Sequence, residues 1–263
     1  MTIISRTLLN NKSDCALIPF ITAGYPNLNS TIEALYTLDN EGADIIELGI
    51  PYSDALADGP VIQESSRIAL QQGVYLDQIL AMLKKITPKL NAPIVIFTYY
   101  NPILVRGIND FVKDISDAGA KGLIIPDLPL EEADYVINLC SQFSIELILF
   151  IAPTSSELRI ELILSKSPGC IYLVSSTGVT GLRNRLDDQI DSLAKKIKLK
   201  TNKLIILGFG ISNVEQVAKV SKWNIDGIVI GSAFIKAMNN KSDGEAIRSL
   251  GSFCQLLRVA IDK

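Results

Sequence analysis

Short apolar runs rich in Ile, Leu and Val alternate with longer stretches of helical period along the whole chain. The apolar runs are Ala16–Ile21, Asp44–Gly49, Pro93–Tyr99, Gly122–Asp127, Glu146–Ile151, Cys170–Ser175, Lys203–Gly208 and Asp226–Gly231. They are nearly continuous rather than alternating with polar residues, the pattern of parallel strands covered on both faces. Between them, Asn29 is placed to cap a helix carrying Ile32, Leu35 and Leu38, and Pro60 suits a first helical position ahead of Val61, Ile62 and Ile68. Residues 131–143 and 212–223 have similar length and spacing, and Ser155–Ser156 ahead of Glu157 marks another helix start. An extra helical stretch, residues 76–90, follows the second strand. Residues 1–14 read as a short helix closing one end of the fold. Eight strand signals, each followed by a helical one, are the number that closes a barrel, whereas open doubly wound sheets usually have fewer strands. The expectation is an α/β fold, a single (β/α)8 barrel of the TIM type. It carries a short extra N-terminal helix and an additional helix after strand 2. No linker or composition shift divides residues 1–263.

Composition narrows the function classes. A hydrophobic share of 48% and a charged share of 20% describe a globular chain with ample core. A net charge of −3 leaves no basic excess for a nucleic-acid backbone, and no apolar run reaches membrane-spanning length. The runs Lys195–Lys196 and Lys198 read as a solvated helix face. Cys15, Cys140, Cys170 and Cys254 are widely spaced and read as free thiols. With no histidine anywhere, a Cys/His zinc site is implausible, and any proton transfer falls to Asp, Glu, Tyr, Lys or Cys.

In a barrel, chemistry sits at the C-terminal strand ends and the loops beyond them. Glu47 lies within an otherwise apolar strand, where a carboxylate is either held in an internal salt bridge or aimed into the mouth with a raised pKa. The loop 51–60 adds Asp54 and Asp58, and either acid is placed to cap the helix at Pro60 or to reach the cavity. Glycine loops follow the last three strands: Gly178 to Gly181, Gly208 to Gly210, and Gly231–Ser232. Such loops are plain tight turns or a phosphate cradle. Tyr172 is a core aromatic or a lining residue. Phe20, Phe97, Tyr99, Ile124, Ile151 and Phe209 fall near strand ends, where they would line a flat apolar pocket.

Several ordered motifs resemble the tryptophan synthase alpha family from about Pro19 to Phe234. They are Pro19-Phe20-Ile21-Thr22-Ala23-Gly24-Tyr25-Pro26, Glu47-Leu48-Gly49-Ile50-Pro51-Tyr52-Ser53-Asp54 and Ala57-Asp58-Gly59-Pro60-Val61-Ile62-Gln63. Further on stand Tyr99-Tyr100-Asn101-Pro102, Pro126-Asp127-Leu128-Pro129, Ala152-Pro153-Thr154, Gly178-Val179-Thr180-Gly181 and Gly208-Phe209-Gly210-Ile211-Ser212. The resemblance implies retro-aldol cleavage of indole-3-glycerol phosphate to indole and glyceraldehyde 3-phosphate. Glu47 would be the acid/base and Asp58 the carboxylate beside the indole N–H. Substrate binding would fall to Phe20, Tyr99, Tyr172, Thr180, Gly181, Phe209, Gly210, Gly231 and Ser232. Neither metal nor organic cofactor is implied. The family works with a beta subunit, a pyridoxal-phosphate enzyme that receives indole, in an expected alpha2-beta2 heterotetramer. The loops Asp54–Pro60 and Ser176–Arg185 would face that partner. Alternatives are a stand-alone lyase that releases free indole and a non-catalytic phosphate-binding barrel that activates a partner. The chain's Ile, Lys and Asn content hints at an A/T-rich genome, hence a bacterial cytoplasm or a plastid stroma.

Overall fold

A computed structural model describes residues 1–174, 183–208 and 210–263, with the side chains of 183–188 excepted. Eight parallel strands close into a barrel in chain order. They are β1 (Ala16–Thr22), β2 (Ile46–Gly49), β3 (Ile94–Phe97), β4 (Gly122–Ile124), β5 (Glu146–Ile151), β6 (Ile171–Val174), β7 (Ile205–Gly208) and β8 (Gly227–Ile230). The ring closes where Ala16 to Pro19 of β1 pair with Gly227 to Ile230 of β8. Twelve helices are found among the described residues. They are α1 (Ile3–Leu9), α2 (Leu28–Asn40), α3 (Pro60–Gln71), α4 (Leu76–Ile86), α5 (Tyr100–Arg106), α6 (Ile108–Asp117), α7 (Ala133–Gln142), α8 (Glu157–Lys166), α9 (Arg183–Lys200), α10 (Val214–Val220), α11 (Ser232–Met238) and α12 (Asp243–Ile261).

The continuous apolar strands are explained by two cores. Side chains alternate across a strand, so each strand feeds both. Leu17, Ile21, Ile46, Leu48, Ile96 and Leu123 pack outward against the helices. Ala16, Ile18, Phe20, Val95, Phe97, Ile124, Ile148, Tyr172, Ile206 and Val229 fill the barrel interior, together with Ile4 and Leu8 of α1. The N-terminal helix therefore plugs the floor, in line with the reading of residues 1–14 as a short helix that closes one end. The expected extra helix is α4, and its last turn tightens into a 3₁₀ turn at Thr87–Lys89.

Several boundaries differ from expectation. Asn27, not Asn29, caps α2, its side chain accepting the Ser30 N–H at 2.8 Å. Leu28 is thereby drawn into the helix, leaving Asn29 inside the first turn. Helix α7 starts at Ala133, after a turn in which the Glu132 N–H donates to the Pro129 carbonyl at 3.0 Å and the Ala133 N–H to the Leu130 carbonyl at 3.2 Å. Helix α10 is capped by Asn213 and ends at Val220, three residues before Trp223. Asp44 lies before β2, where it accepts the Leu17 N–H at 2.7 Å and pairs with Arg258. Lys198 does not belong to a solvated face, since its ammonium bridges to Asp226 at the foot of β8. Two helices, α5 and α6, follow β3, and two, α11 and α12, follow β8, where a single helical signal was expected after each. All four cysteines are free and buried. Burial lifts the thiols of Cys140 and Cys254 to about 12, so they stay protonated near neutral pH.

Candidate active site

The mouth of the barrel is built on strand parity. Glu47 shares its inward face with Ile45, so the register that buries Leu48 against the helices also sends the carboxyl inward. Its strand neighbours are Phe20 of β1 and Val95 of β3. Glu47 is 1% exposed, and its Oε1 has no hydrogen-bond partner among the described residues. No described Lys or Arg pairs with it, which removes the internal salt bridge as its explanation. Burial without compensating charge pushes its pKa from 4.5 to about 8.

Asp58 stands in the loop between β2 and α3. Gly59 occupies the N-cap of α3 and Pro60 its first position, with no side chain capping the helix. Capping therefore does not account for Asp58. Its Oδ2 instead accepts the Tyr99 hydroxyl at 3.0 Å. Desolvation raises its pKa to about 6, and the tyrosine's hydrogen bond opposes that rise. Asp54 is exposed, and its side chain accepts the neighbouring Ser53 hydroxyl. The loop is tied down from two sides. Ala57 N–H donates to the Tyr99 oxygen at 3.1 Å, and Gln63 Nε2 of α3 donates to the carbonyls of Ala55 and Asp58 at 3.1 and 2.9 Å.

An aromatic wall faces the carboxylates. The Phe20 and Phe97 rings meet edge to face at 5.6 Å, Phe97 meets Tyr99 at 6.3 Å, and Tyr52 lies 5.4 Å from Tyr99. Across the barrel, Phe150 packs 4.7 Å from Tyr172. Tyr172 is buried, and the negative charges of both Glu47 and Asp58 push its hydroxyl pKa further up, so all three surround one space. A Cβ on Gly208 would stand 1.9 Å from the Tyr172 oxygen, so glycine is what lets that ring enter the mouth. Ile151 does not join this wall: it packs in the outer core, and Phe150 takes the inward position. Counting by twos from Ile148 would have found Phe150. Tyr52 and Gln63 lie in a loop and on a helix, and no strand parity points to them.

On the far side of the mouth, Gly210 adopts φ +88°, open to glycine at no steric cost. Gly231 is the N-cap of α11, and Ser232 opens that helix. The first N–H groups of a helix lack intrahelical acceptors. Thr180, Gly181 and Phe209 lie outside the described residues. Among the described residues, no group of three or more His, Cys, Asp or Glu is arranged to hold a metal ion. Nor is any described helix long and apolar enough to cross a membrane.

A family model described as tryptophan synthase alpha chain matches residues 7–260. The chain belongs to the tryptophan synthase alpha chain family. It is 62% identical over 261 residues to the tryptophan synthase alpha chain of Gracilaria tenuistipitata var. liui, covering 99% of this chain and 97% of that one. Against the alpha chain of Trichodesmium erythraeum the identity is 50% over 257 residues, with 98% and 97% covered. Among solved structures, tryptophan synthase subunit alpha from Legionella pneumophila superposes with a TM-score of 0.88 at 31% identity, covering 100% and 99%. Tryptophan synthase from M. tuberculosis superposes at 0.87 with 27% identity, covering 99% and 100%. As a tryptophan synthase alpha chain, the protein is a carbon–carbon lyase of tryptophan biosynthesis that cleaves indole-3-glycerol phosphate.

Proposed function

We propose that Glu47 and Asp58 divide the chemistry of this cleavage between them. The observation that carries the reading is the buried carboxyl of Glu47, one oxygen unpartnered, facing the same space as Tyr172 and Asp58. With a pKa near 8, Glu47 is protonated at neutral pH and able to deliver a proton to C3 of the indole ring. Protonation makes C3 a competent leaving group and places positive charge at the ring nitrogen. Asp58, ionised above about pH 6, stabilises that charge beside N1–H in a water-poor cavity. The Glu47 carboxylate then accepts the hydroxyl proton of the adjacent side-chain carbon. The carbon–carbon bond breaks, its electrons return to the ring, and indole and glyceraldehyde 3-phosphate result. No step calls on a metal or organic cofactor.

The indole ring would lie against Phe20, Tyr99, Tyr172 and Phe209. The phosphate would be cradled by Gly210, Gly231 and Ser232, with Thr180 and Gly181 completing the closure. The turn at Gly210 and the start of α11 support that half of the site, since N–H groups at a helix start favour an anion.

The partner is a tryptophan synthase beta subunit in an alpha2-beta2 heterotetramer, to which indole passes directly. Support comes from apolar side chains standing in water on consecutive segments beyond β2 to β5. Leu56 is 90% exposed, Val105 81% and Leu158 75%, with Leu104 and Tyr135 exposed beside them in sequence order. The loop Asp54–Pro60 carries Leu56 and so belongs to the same face. Relatives from red algae and cyanobacteria support a plastid stroma where the chain is plastid-encoded, and the cytoplasm otherwise.

Indole release from indole-3-glycerol phosphate, with and without a bacterial beta subunit, tests the reading. Slow cleavage that rises sharply with the partner is expected. Fast cleavage indifferent to the partner would favour a stand-alone lyase, and absence of indole in both arms would refute the chemistry.

A further inference from the structure

None of the described Lys or Arg residues pairs with Asp58, and the described side chains that face it from the surrounding elements are neutral or acidic. Tyr99 comes from the end of β3, Tyr172 from β6, Glu47 from β2, and Gln63 from α3 by way of the Asp58 carbonyl. The second acid of the loop, Asp54, points to water. Asp127 acts on Tyr99 from beyond β4 while its own Oδ1 holds the Tyr100 N–H at 2.8 Å. Among the described residues, one side-chain donor does for this carboxylate what a salt bridge does elsewhere.

That donor is held in a single orientation. The Tyr99 ring is 4% exposed, wedged between Phe97 and Tyr52. Its oxygen receives the Ala57 N–H at 3.1 Å, which leaves its own proton for Asp58 Oδ2 at 3.0 Å. Receiving one hydrogen bond polarises the hydroxyl and strengthens the one it gives. Burial and the neighbouring carboxylate both push the phenol pKa up, so the proton stays on Tyr99. Because Ala57 and Asp58 are adjacent in the loop, the two bonds also fix where the loop sits.

We propose that Tyr99, beyond lining the pocket, is a positioning residue for the cleavage. It keeps Asp58 charged at neutral pH and holds it in place through the Ala57–Tyr99–Asp58 chain of hydrogen bonds. The inference rests on the role given to Asp58 above, and its test separates the two.

The working form of the site has Asp58 ionised and Glu47 protonated, so kcat/KM should be bell-shaped, with limbs near 6 and 8 set by the free enzyme. Tyr99→Phe keeps the ring and removes the hydroxyl. Loss of a hydrogen bond to the charged form raises a carboxyl pKa. The acidic limb should then move up by about 1 pH unit while the basic limb stays, a loss of about threefold near pH 6.5 that largely disappears near pH 7.5. Titration of the ¹³C-labelled Asp carboxyl in the same variant should report the same shift without turnover. A uniform drop in rate with both limbs in place would make Tyr99 scaffold only. An unchanged profile and an unmoved carboxyl titration would remove it from the site. Asp58→Asn serves as the separate check: it should abolish the acidic limb, and a limb that persists overturns the role of Asp58 rather than that of Tyr99.

Discussion

Two glutamates point into the same barrel, both on strands and both buried to 1% exposure or less, and their surroundings are opposite. Glu146 begins β5 at the floor. It accepts the Ser5 hydroxyl at 2.9 Å, the Ser5 N–H at 3.1 Å, the Cys170 N–H at 2.6 Å and the Thr2 hydroxyl. These donors come from α1 and from the entry to β6, so the carboxylate ties the plugging helix to two strands. Gly169 makes this possible, since a Cβ there would stand 2.1 Å from Glu146 Oε1. Glu47, in β2 nearer the mouth, keeps an oxygen without a partner. A buried charge surrounded by donors is a structural fastening, whereas a buried carboxyl left without them rejects its charge and holds a proton to give. Residue type and burial do not distinguish the two glutamates; hydrogen-bond satisfaction does.

The largest test of this contrast is Glu47→Gln. The amide keeps the shape and loses the proton, so kcat should fall by about 10³-fold or more with the fold intact. Turnover like that of the parent would remove Glu47 from the chemistry. The same variant should remove a pH dependence of stability. The folded pKa of about 8 lies above the ordinary 4.5, so the folded state retains a proton that the unfolded chain releases. The stability this group contributes is fully present below about 4.5 and is lost as pH rises through about 8. Denaturation midpoints of variant and parent should converge at acid pH and separate in favour of the variant above pH 8.

Glu146→Gln probes the other end. An amide cannot accept from four donors at once, and one buried donor is left facing its NH₂. A loss of about 2–4 kcal/mol in urea denaturation is expected, with kcat per folded molecule nearly unchanged. If Glu146→Gln lowered kcat as Glu47→Gln does while leaving the midpoint alone, the division between floor and mouth would fail.

This pair also marks how far the sequence could be read. The eight apolar runs located every strand within a few residues, because parallel strands covered on both faces are built mainly of apolar side chains. Glu47 stood out as a lone acid in an apolar strand, the same feature that leaves its carboxyl without a donor. Glu146 opens its strand run, and a terminal acid reads as an ordinary boundary. Its four donors come from residues 2, 5 and 170, far away in the chain, so no local pattern announces them. The cap of α2 moved from Asn29 to Asn27 because both residues can cap, and packing of Leu28 selected between them. Asp58 was ambiguous between cap and cavity until Gly59 was seen at the cap. Gln63 carried no signal of its own beyond the motif that contains it, since its partners are carbonyls of a loop whose path cannot be read from periodicity.

The smallest effect sharpens the contrast most, because it should appear in only one of two measurements. Gln63 is exposed and binds the carbonyls of Ala55 and Asp58, holding a loop that contributes little to the core. Gln63→Ala should leave the thermal midpoint within about 1 °C, since surface changes of this kind cost at most a few tenths of a kcal/mol. Its kcat/KM should still fall about threefold, because Asp58 is then found less often at its station against Tyr99. Ser5→Ala is the mirror change. It removes one hydroxyl from the Glu146 network and should cost about 1–2 kcal/mol while leaving kcat/KM untouched. In a barrel whose floor carries stability and whose mouth carries chemistry, these two substitutions move different readouts. If Gln63→Ala lowered stability as much as Ser5→Ala, the loop would be part of the fold's foundation, and its hold on Asp58 could not be separated from the integrity of the barrel.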